Sequence, residues 1–389
     1  MAEPWPGYYR QVGCREPVGN SSPGSGGMFS GMAVDDVPGI DGPKLAGWLS
    51  ANGVASGELT GVELIAGGRS NLTYRVDLGS SRLVLRRPPL GHVLPTAHDM
   101  SREFRVLTAL DGTDVPVPAP VAICADADII GAPFYLMEYV DGVVLRTRED
   151  GERLTPVQAR QLSERLIEML AAIHGVDIEA TGLTGFGRPE GYLARQLARW
   201  QRQWELSNTR EMPGYDRLVE RLAAGLPADG DHALVHGDFR LDNTLVTLGG
   251  EGPGGKAEPP AVAAVVDWEM STLGDPLADL GLTLVYWADP DDAQWGDVSI
   301  GATVTGMPGF LTRAELADRY AELTGRDLSG IGYYMAFGCF KLAVVLEGIH
   351  ARFLQGKTVG EGFEREGFAV SALIERAHQM LDRGLDGAA

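Results

Sequence analysis

The chain has 389 residues, enough for a full core and two lobes or domains, and its 44% apolar and 22% charged content is ordinary for a globular protein. A formal net charge of −20 leaves no basic stripe for nucleic acid and argues against docking on anionic lipid. No uninterrupted apolar run reaches about 18 residues, so no membrane span is read, and Cys14, Cys124 and Cys339 are too scattered for a disulfide framework or zinc site, which fits a reducing cytoplasm.

Residues 1 to 35 are rich in Gly, Ser and Pro, lack hydrophobic periodicity, and read as a disordered extension without a secretory signal. Met28 or Met32 is an alternative start. Leu45, Trp48 and Leu49 sit at helical spacing. Val62 to Ile65 and Leu72 to Val76 flank Gly67-Gly68-Arg69-Ser70-Asn71, a strand pair with a tight glycine turn. Leu83 to Arg86 predict a third strand stopped by Pro88-Pro89, Ser101 to Leu110 a helix, and Pro133 to Val140 a further strand. Beyond it the chain is mainly helical. Thr155-Pro156 predicts an N-cap with proline in the first turn, followed by the apolar face Leu162, Leu166, Ile167, Leu170 and Ile173. Gly249 to Pro260 reads as a mobile hairpin loop.

The segment His236-Gly237-Asp238-Phe239-Arg240-Leu241-Asp242-Asn243 carries the chemistry. It follows an apolar strand and sets an Asn five residues after an Asp, so that both side chains converge on one phosphate and its metal. Ala263-Ala264-Val265-Val266 then delivers Asp267 to the end of a second strand, with Glu269 two residues on. One carboxylate to orient an acceptor hydroxyl, plus one carboxylate and an amide for a hard cation, is the set that ATP-dependent phosphoryl transfer needs. Asp238, His236 and Arg240 are the catalytic candidates; Asn243, Asp267 and Glu269 are the metal candidates. Asp275 before Pro276 reads as a helix N-cap, and both Asp275 and Asp279 as residues that brace the loop. Gly67, Gly68, Ser70 and Asn71 offer backbone amides to phosphates. Arg86 on its strand, paired with Glu103 on the next helix, would grip the α- and β-phosphates.

Together these residues resemble the aminoglycoside phosphotransferase and choline kinase superfamily over about residues 40 to 380. The resemblance implies an α+β, protein-kinase-like, two-lobed fold. Its N-lobe, residues 36–139, would be a five-stranded antiparallel sheet that binds nucleotide, and its C-lobe, residues 140–389, would be mainly helical and hold the catalytic loop, metal and acceptor. It further implies that Asp238 is the catalytic base, that Asn243 and Asp267 bind Mg²⁺, that Glu138 to Val140 form the adenine hinge, and that ATP·Mg²⁺ lies between the lobes. Protein kinases place Lys where this chain has Arg86, a planar fork rather than a point charge. A narrower likeness rests on Gly67-Gly68, Ser70-Asn71, Thr73-Tyr74, Leu85 to Pro89, Ala97-His98-Asp99, Arg199-Trp200 and Gln203-Trp204. These resemble the kinase-like domain fused to some long acyl-CoA dehydrogenases, which implies a hydroxyacyl-CoA as small-molecule acceptor.

The acidic balance also permits a polycationic aminoglycoside as acceptor. Trp200, Trp204, Trp287 and Lys341 supply aromatic and basic groups in the expected acceptor lobe, which suit an apolar chain or an anionic CoA; helix packing is the plain alternative. Two rivals from other classes are a catalytically silent nucleotide-binding kinase-like protein and a metal-dependent hydrolase. The complete Asp238, Asn243 and Asp267 set weighs against the first, and the lack of further ligands at metal-site spacing against the second.

Overall fold

A computed structural model describes residues 37–54, 57–65, 71–90, 99–251, 257–289, 303–356 and 366–385. The expected disordered extension and Gly67, Gly68 and Ser70 lie outside the described residues. The chain divides into two compact units, one of residues 1–104 and 119–139, the other of residues 105–118 and 140–389.

In the first unit, α1 (Gly42–Ala51) is capped by Asp41, whose carboxylate accepts from the Lys44 amide at 3.1 Å. The strands β1 (Leu59–Leu64), β2 (Leu72–Leu78), β3 (Ser81–Arg87), β4 (Pro120–Cys124) and β5 (Phe134–Glu138) form one sheet in the order β1-β2-β3-β5-β4. Every pairing in it is antiparallel. Tyr74, Val76, Leu85, Phe134 and Leu136 bury one core with Leu45 and Leu49 of α1, so the sheet closes on a helix rather than standing open. The helix α2 (Met100–Leu110) follows β3 and carries Glu103 in its first turn.

The second unit is mainly helical, as expected. Its first helices are α3 (Arg148–Gly151) and α4 (Pro156–His174), the latter starting at a Thr155–Gln158 capping box with Pro156 in the first turn. Leu162, Leu166, Ile167, Leu170 and Ile173 are all buried, the face the spacing predicts. There follow α5 (Tyr192–Ser207) and α6 (Tyr215–Ala224), then six short strands: β6 (Ala233–Val235), β7 (Thr244–Thr247), β8 (Gly250–Glu251), β9 (Ala257–Glu258), β10 (Ala261–Val265) and β11 (Thr272–Gly274). The β8–β9 pair is a hairpin whose tip lies outside the described residues. The remaining helices are α7 (Pro276–Tyr286), α8 (Arg313–Thr324), α9 (Ile331–Leu354) and α10 (Glu366–Arg383).

By length and composition α9, with 24 residues, could cross a membrane, but 78% of its most apolar window is buried inside the protein. It is the central helix of this unit, packed by α5, α6, α7 and α10. Its near-uniform apolarity follows from being covered on most sides.

The crossing of α7 and α9 is close because glycine permits it. A Cβ on Gly281 would lie 2.6 Å from the Tyr334 carbonyl carbon, and one on Gly338 would lie 3.2 Å from Leu282 Cα. Since α7 also carries Asp275, Asp279 and Tyr286, this crossing sets where those side chains point. Gly281→Val should therefore lower stability by about 1–3 kcal/mol, as overpacked cores do. A calorimetric unfolding midpoint equal to that of the wild type would show that the contact yields without cost.

Candidate active site

Two short ladders bring the distant motif segments together. The loop of residues 236–243 leaves β6 at Val235 and enters β7 at Thr244, while the second segment leaves β10 at Val265 and enters β11 at Thr272. Because β6 pairs with β11 (Val235 opposite Thr272) and β7 with β10 (Thr244 opposite Val265), both connections emerge side by side. The Val266 amide then donates to the Asn243 carbonyl at 2.9 Å, which sets Asp267 next to Asn243. Asp267 is the one non-glycine residue with positive φ among the described residues (φ 67°, ψ 56°). Asp tolerates that left-handed region better than most side chains, and such strain is held where the surroundings over-determine it.

Asp238 is gripped at both carboxylate oxygens. Asn243 Nδ2 donates to Oδ2 at 3.0 Å and to the Asp238 carbonyl at 2.8 Å. The Tyr286 hydroxyl donates to Oδ1 at 2.7 Å. Tyr286 ends α7 and had no motif to announce it; its one sequence signal is its place on the helix that Asp275-Pro276 begins. Burial, then the nearby Asp238 charge, push its phenol well above the ordinary range, so it stays protonated and remains a donor.

The loop itself hangs on Asp279. Its buried carboxylate accepts from the His236 amide at 2.6 Å and the Gly237 amide at 2.9 Å. Gly237 has φ 82°, and a Cβ there would meet the Met270 carbonyl oxygen at 2.6 Å, so only glycine fits. Asp275 caps α7 by accepting from the Leu277 amide at 2.9 Å, and its other oxygen takes the Tyr334 hydroxyl at 2.9 Å. Both aspartates brace, as the sequence suggested.

His236, expected among the catalytic side chains, is fully buried instead. Its Nε2 meets the Val266 carbonyl at 3.0 Å, its Nδ1 accepts from the Asp238 amide at 3.3 Å, and its ring lies against Phe239 and Trp268. With both nitrogens engaged by backbone, it holds the two motif segments together rather than meeting substrate. Arg240 is half-buried: its guanidinium lies 4.8 Å from the Tyr286 ring centre and donates to Asp242 Oδ2 at 2.6 Å. Glu269 is half-buried in the short turn Trp268–Met270, two residues past Asp267.

Lys341 of α9 donates to the Gly237 carbonyl at 2.5 Å and lies 5.7 Å from the Trp200 ring. Burial lowers its ammonium, opposed by the charges of Asp238 and Asp279. Trp200 and Trp204 are buried on one face of α5, Trp204 is stacked on Tyr215 at 4.1 Å, and Trp287 donates to the Leu311 carbonyl at 2.7 Å; all three are core residues, as the packing alternative has it. A small pocket lies against the loop, lined by Arg240, Asp242 and Tyr286 together with Phe239, Trp287 and Leu316.

In the first unit, Arg86 and Glu103 meet at 3.2 Å with both side chains buried. Asn71, the described end of the glycine-rich segment, is buried at the start of β2. Glu138 is exposed at the end of β5, its amide donating to the Ala119 carbonyl at 2.8 Å; Val140 is half-buried.

The donor set suits a hard divalent cation. Asn243 spends its amide N–H groups on Asp238, so its side-chain carbonyl oxygen and the carboxylate of Asp267 are the groups that could hold a metal. No group of three His, Cys, Asp or Glu is placed to hold a metal among the described residues. Mg²⁺ needs no such cage, since it takes one or two protein oxygens and completes its shell with phosphate and water.

The sequence matches the phosphotransferase enzyme family over residues 61–312. The chain belongs to that family. It is an enzyme, a small-molecule phosphotransferase of the kinase type, and its fold is the α+β, protein-kinase-like one that the motifs implied. A Mus musculus protein, acyl-CoA dehydrogenase family member 10, is 36% identical over 313 residues, which is 80% of this chain and 28% of that protein. The chain thus spans less than a third of that relative's length. A solved structure from Ralstonia eutropha JMP134, provisionally described as an aminoglycoside phosphotransferase, is 32% identical, with a TM-score of 0.71 over 88% of this chain and 99% of that one. The GDP complex of aminoglycoside 2'-phosphotransferase-IIIa is 15% identical, with a TM-score of 0.57 over 87% of this chain and 98% of that one, and shares the fold.

Behind the brace, His174 of α4 offers Nε2 to Asp279 at 3.3 Å and takes the Tyr320 hydroxyl at Nδ1 at 2.6 Å. Burial lowers the imidazole below its ordinary value despite Asp279, so His174 is neutral in the fold. Burial also raises the Asp279 carboxyl, but the His174 and His236 bonds outweigh it and bring the net below the carboxylate range. An unfolded chain protonates His174 near about pH 6.5, before the folded one does. Its contribution is therefore complete above that pH and lost as the pH falls toward the depressed folded value. The unfolding midpoint should drop between about pH 7 and 5, with a shallower drop in His174→Gln; identical slopes for the two proteins would assign the acid sensitivity elsewhere.

Proposed function

We propose that the protein transfers the γ-phosphate of ATP to a hydroxyl of a hydroxyacyl-CoA. The observation that carries the transfer chemistry is the meeting of Asp238, Asn243 and Asp267 on two adjoining connections, with Asp238 held at both oxygens. In this reading Asp238 orients the acceptor hydroxyl for in-line attack and accepts its proton; the O–P bond to the acceptor forms as the β,γ-bridging O–P bond breaks. Asn243 and Asp267 hold Mg²⁺, which when bound offsets charge on the phosphates. Glu269 lies close enough in sequence to join them. Arg86, aimed by Glu103, clamps the α- and β-phosphates, Gly67, Gly68, Ser70 and Asn71 offer backbone amides to phosphates, and the backbone of Glu138 to Val140 takes the adenine. The GDP complex of the aminoglycoside 2'-phosphotransferase supports nucleotide binding on this fold.

The acceptor class rests on the likeness to acyl-CoA dehydrogenase family members, of which this chain matches only a part. The provisional description of the Ralstonia eutropha structure favours an aminoglycoside as the second reading, and the −20 charge suits a polycation. For the protein's own part, the Lys341 ammonium sits on the Gly237 carbonyl, a cation beside the loop that would hold the acceptor.

The test is transfer from γ-labelled ATP to hydroxyacyl-CoAs, free hydroxy acids, choline and aminoglycosides in parallel. Label should appear on a hydroxyacyl-CoA and fall about 10²- to 10⁴-fold in a folded Asp238→Asn variant. Label on aminoglycosides alone would replace the acceptor; undiminished transfer by Asp238→Asn would remove Asp238 from its role.

A further inference from the structure

The helix α7 ends one residue before Trp287, and its last residue does something that packing alone does not require. Tyr286 spends its hydroxyl proton on Asp238 Oδ1 at 2.7 Å, and Arg240 hydrogen-bonds the same phenol. The Arg240 guanidinium lies 4.8 Å from the Tyr286 ring centre, and Asp242 Oδ2 fixes its far end at 2.6 Å. The order is thus Asp242, Arg240, Tyr286, Asp238. A cation donating to the phenol oxygen makes its O–H a stronger donor, so each bond in such a chain reinforces the next. Asn243 takes the other carboxylate oxygen, which leaves one rotamer for Asp238.

We propose that Tyr286, clamped by Arg240 and Asp242, is a positioning residue of the transfer reaction: it fixes the Asp238 carboxylate so that its remaining lone pairs face the acceptor hydroxyl. This rests on the reading of Asp238 as the residue that receives that hydroxyl's proton. The carboxylate has two rotatable bonds between it and the backbone, and a hydrogen bond from Asn243 alone defines a point rather than a plane. The second donor, at the opposite oxygen, defines the plane. Reacting groups held in this way gain rate through orientation, and small misplacements are costly. Tyr286 touches neither nucleotide nor acceptor in this account, so its removal changes turnover and not ATP affinity.

The experiment is a double-mutant cycle on phosphoryl transfer, with water or the best acceptor of the panel, using the full chain. Tyr286→Phe keeps the ring under Arg240 and removes only the hydroxyl. It should lower kcat about 10- to 100-fold with an unchanged KM for ATP. In an Asp238→Asn background the same substitution should change kcat less than two-fold, because the group it positions is gone. A Tyr286→Phe kcat within two-fold of the wild type would overturn the proposal while leaving Asp238 in place. An equal factor in both backgrounds would also overturn it, since a residue that merely supports the fold acts independently. If Phe at 286 unfolds the protein, Arg240→Gln carries the same cycle with the same expected non-additivity. Full activity of Asp238→Asn, or no turnover by the wild type on any acceptor, would remove the underlying reading and this inference with it.

Discussion

The buried carboxylate of Asp279 is the constraint on which the site depends. It accepts from two successive backbone amides of the loop that carries Asp238, His236 at 2.6 Å and Gly237 at 2.9 Å, and so fixes the backbone direction just before Asp238. A buried carboxylate is costly unless its lone pairs are filled, and here His174 supplies the further partner while remaining neutral. The His236 ring then ties the loop to the Val266 carbonyl, and Gly237 alone can make the turn against Met270. The two Asp279 bonds depend on the position of α7, and α7 is seated by its glycine contact with α9.

From that anchor the geometry of the site follows. The loop lies beside the Asp267 connection because the β6–β11 and β7–β10 ladders fix their registers. Asn243 is thereby shared: its amide N–H groups steady Asp238, and its side-chain carbonyl oxygen and the carboxylate of Asp267 are the groups that could hold a metal. In the proposed reaction, one short stretch of chain would serve both the acceptor side and the phosphate side of the transfer. The strained backbone at Asp267 fits this account, because two flanking strands and the Val266 to Asn243 bond hold it there.

The parts of this arrangement that were legible in the sequence are those set by short separations. Asp238 and Asn243 lie five residues apart, Asp275-Pro276 announces a helix start, and the apolar face of α4 recurs at helical spacing. The five-stranded sheet was expected from a family resemblance, and its antiparallel order is what the structure has. Side-chain roles that depend on distant chain crossings were not legible. His236 sits in the motif and reads as reactive, yet it is enclosed by Phe239 and Trp268. Trp204 and Trp287 read as a face for an acceptor, but their partners, Tyr215 and the Leu311 carbonyl, come from elements that no spacing rule connects to them. Tyr286 reaches Asp238 from 48 residues away, and only the tertiary fold reveals it.

The brace by Asp279 is tested most directly by measuring phosphoryl transfer and unfolding together for Asp279→Asn. That change keeps the size of the side chain but turns one of its two acceptor oxygens into a donor facing a backbone N–H. In Asp279→Asn kcat should fall by about 10²-fold or more, because the loop carrying Asp238 loses its register. Stability should also fall by about 1–3 kcal/mol, from a buried amide left without its acceptor. Transfer at the wild-type rate by a protein with an unchanged unfolding midpoint would contradict the brace, and would mean that the loop holds its shape without the carboxylate.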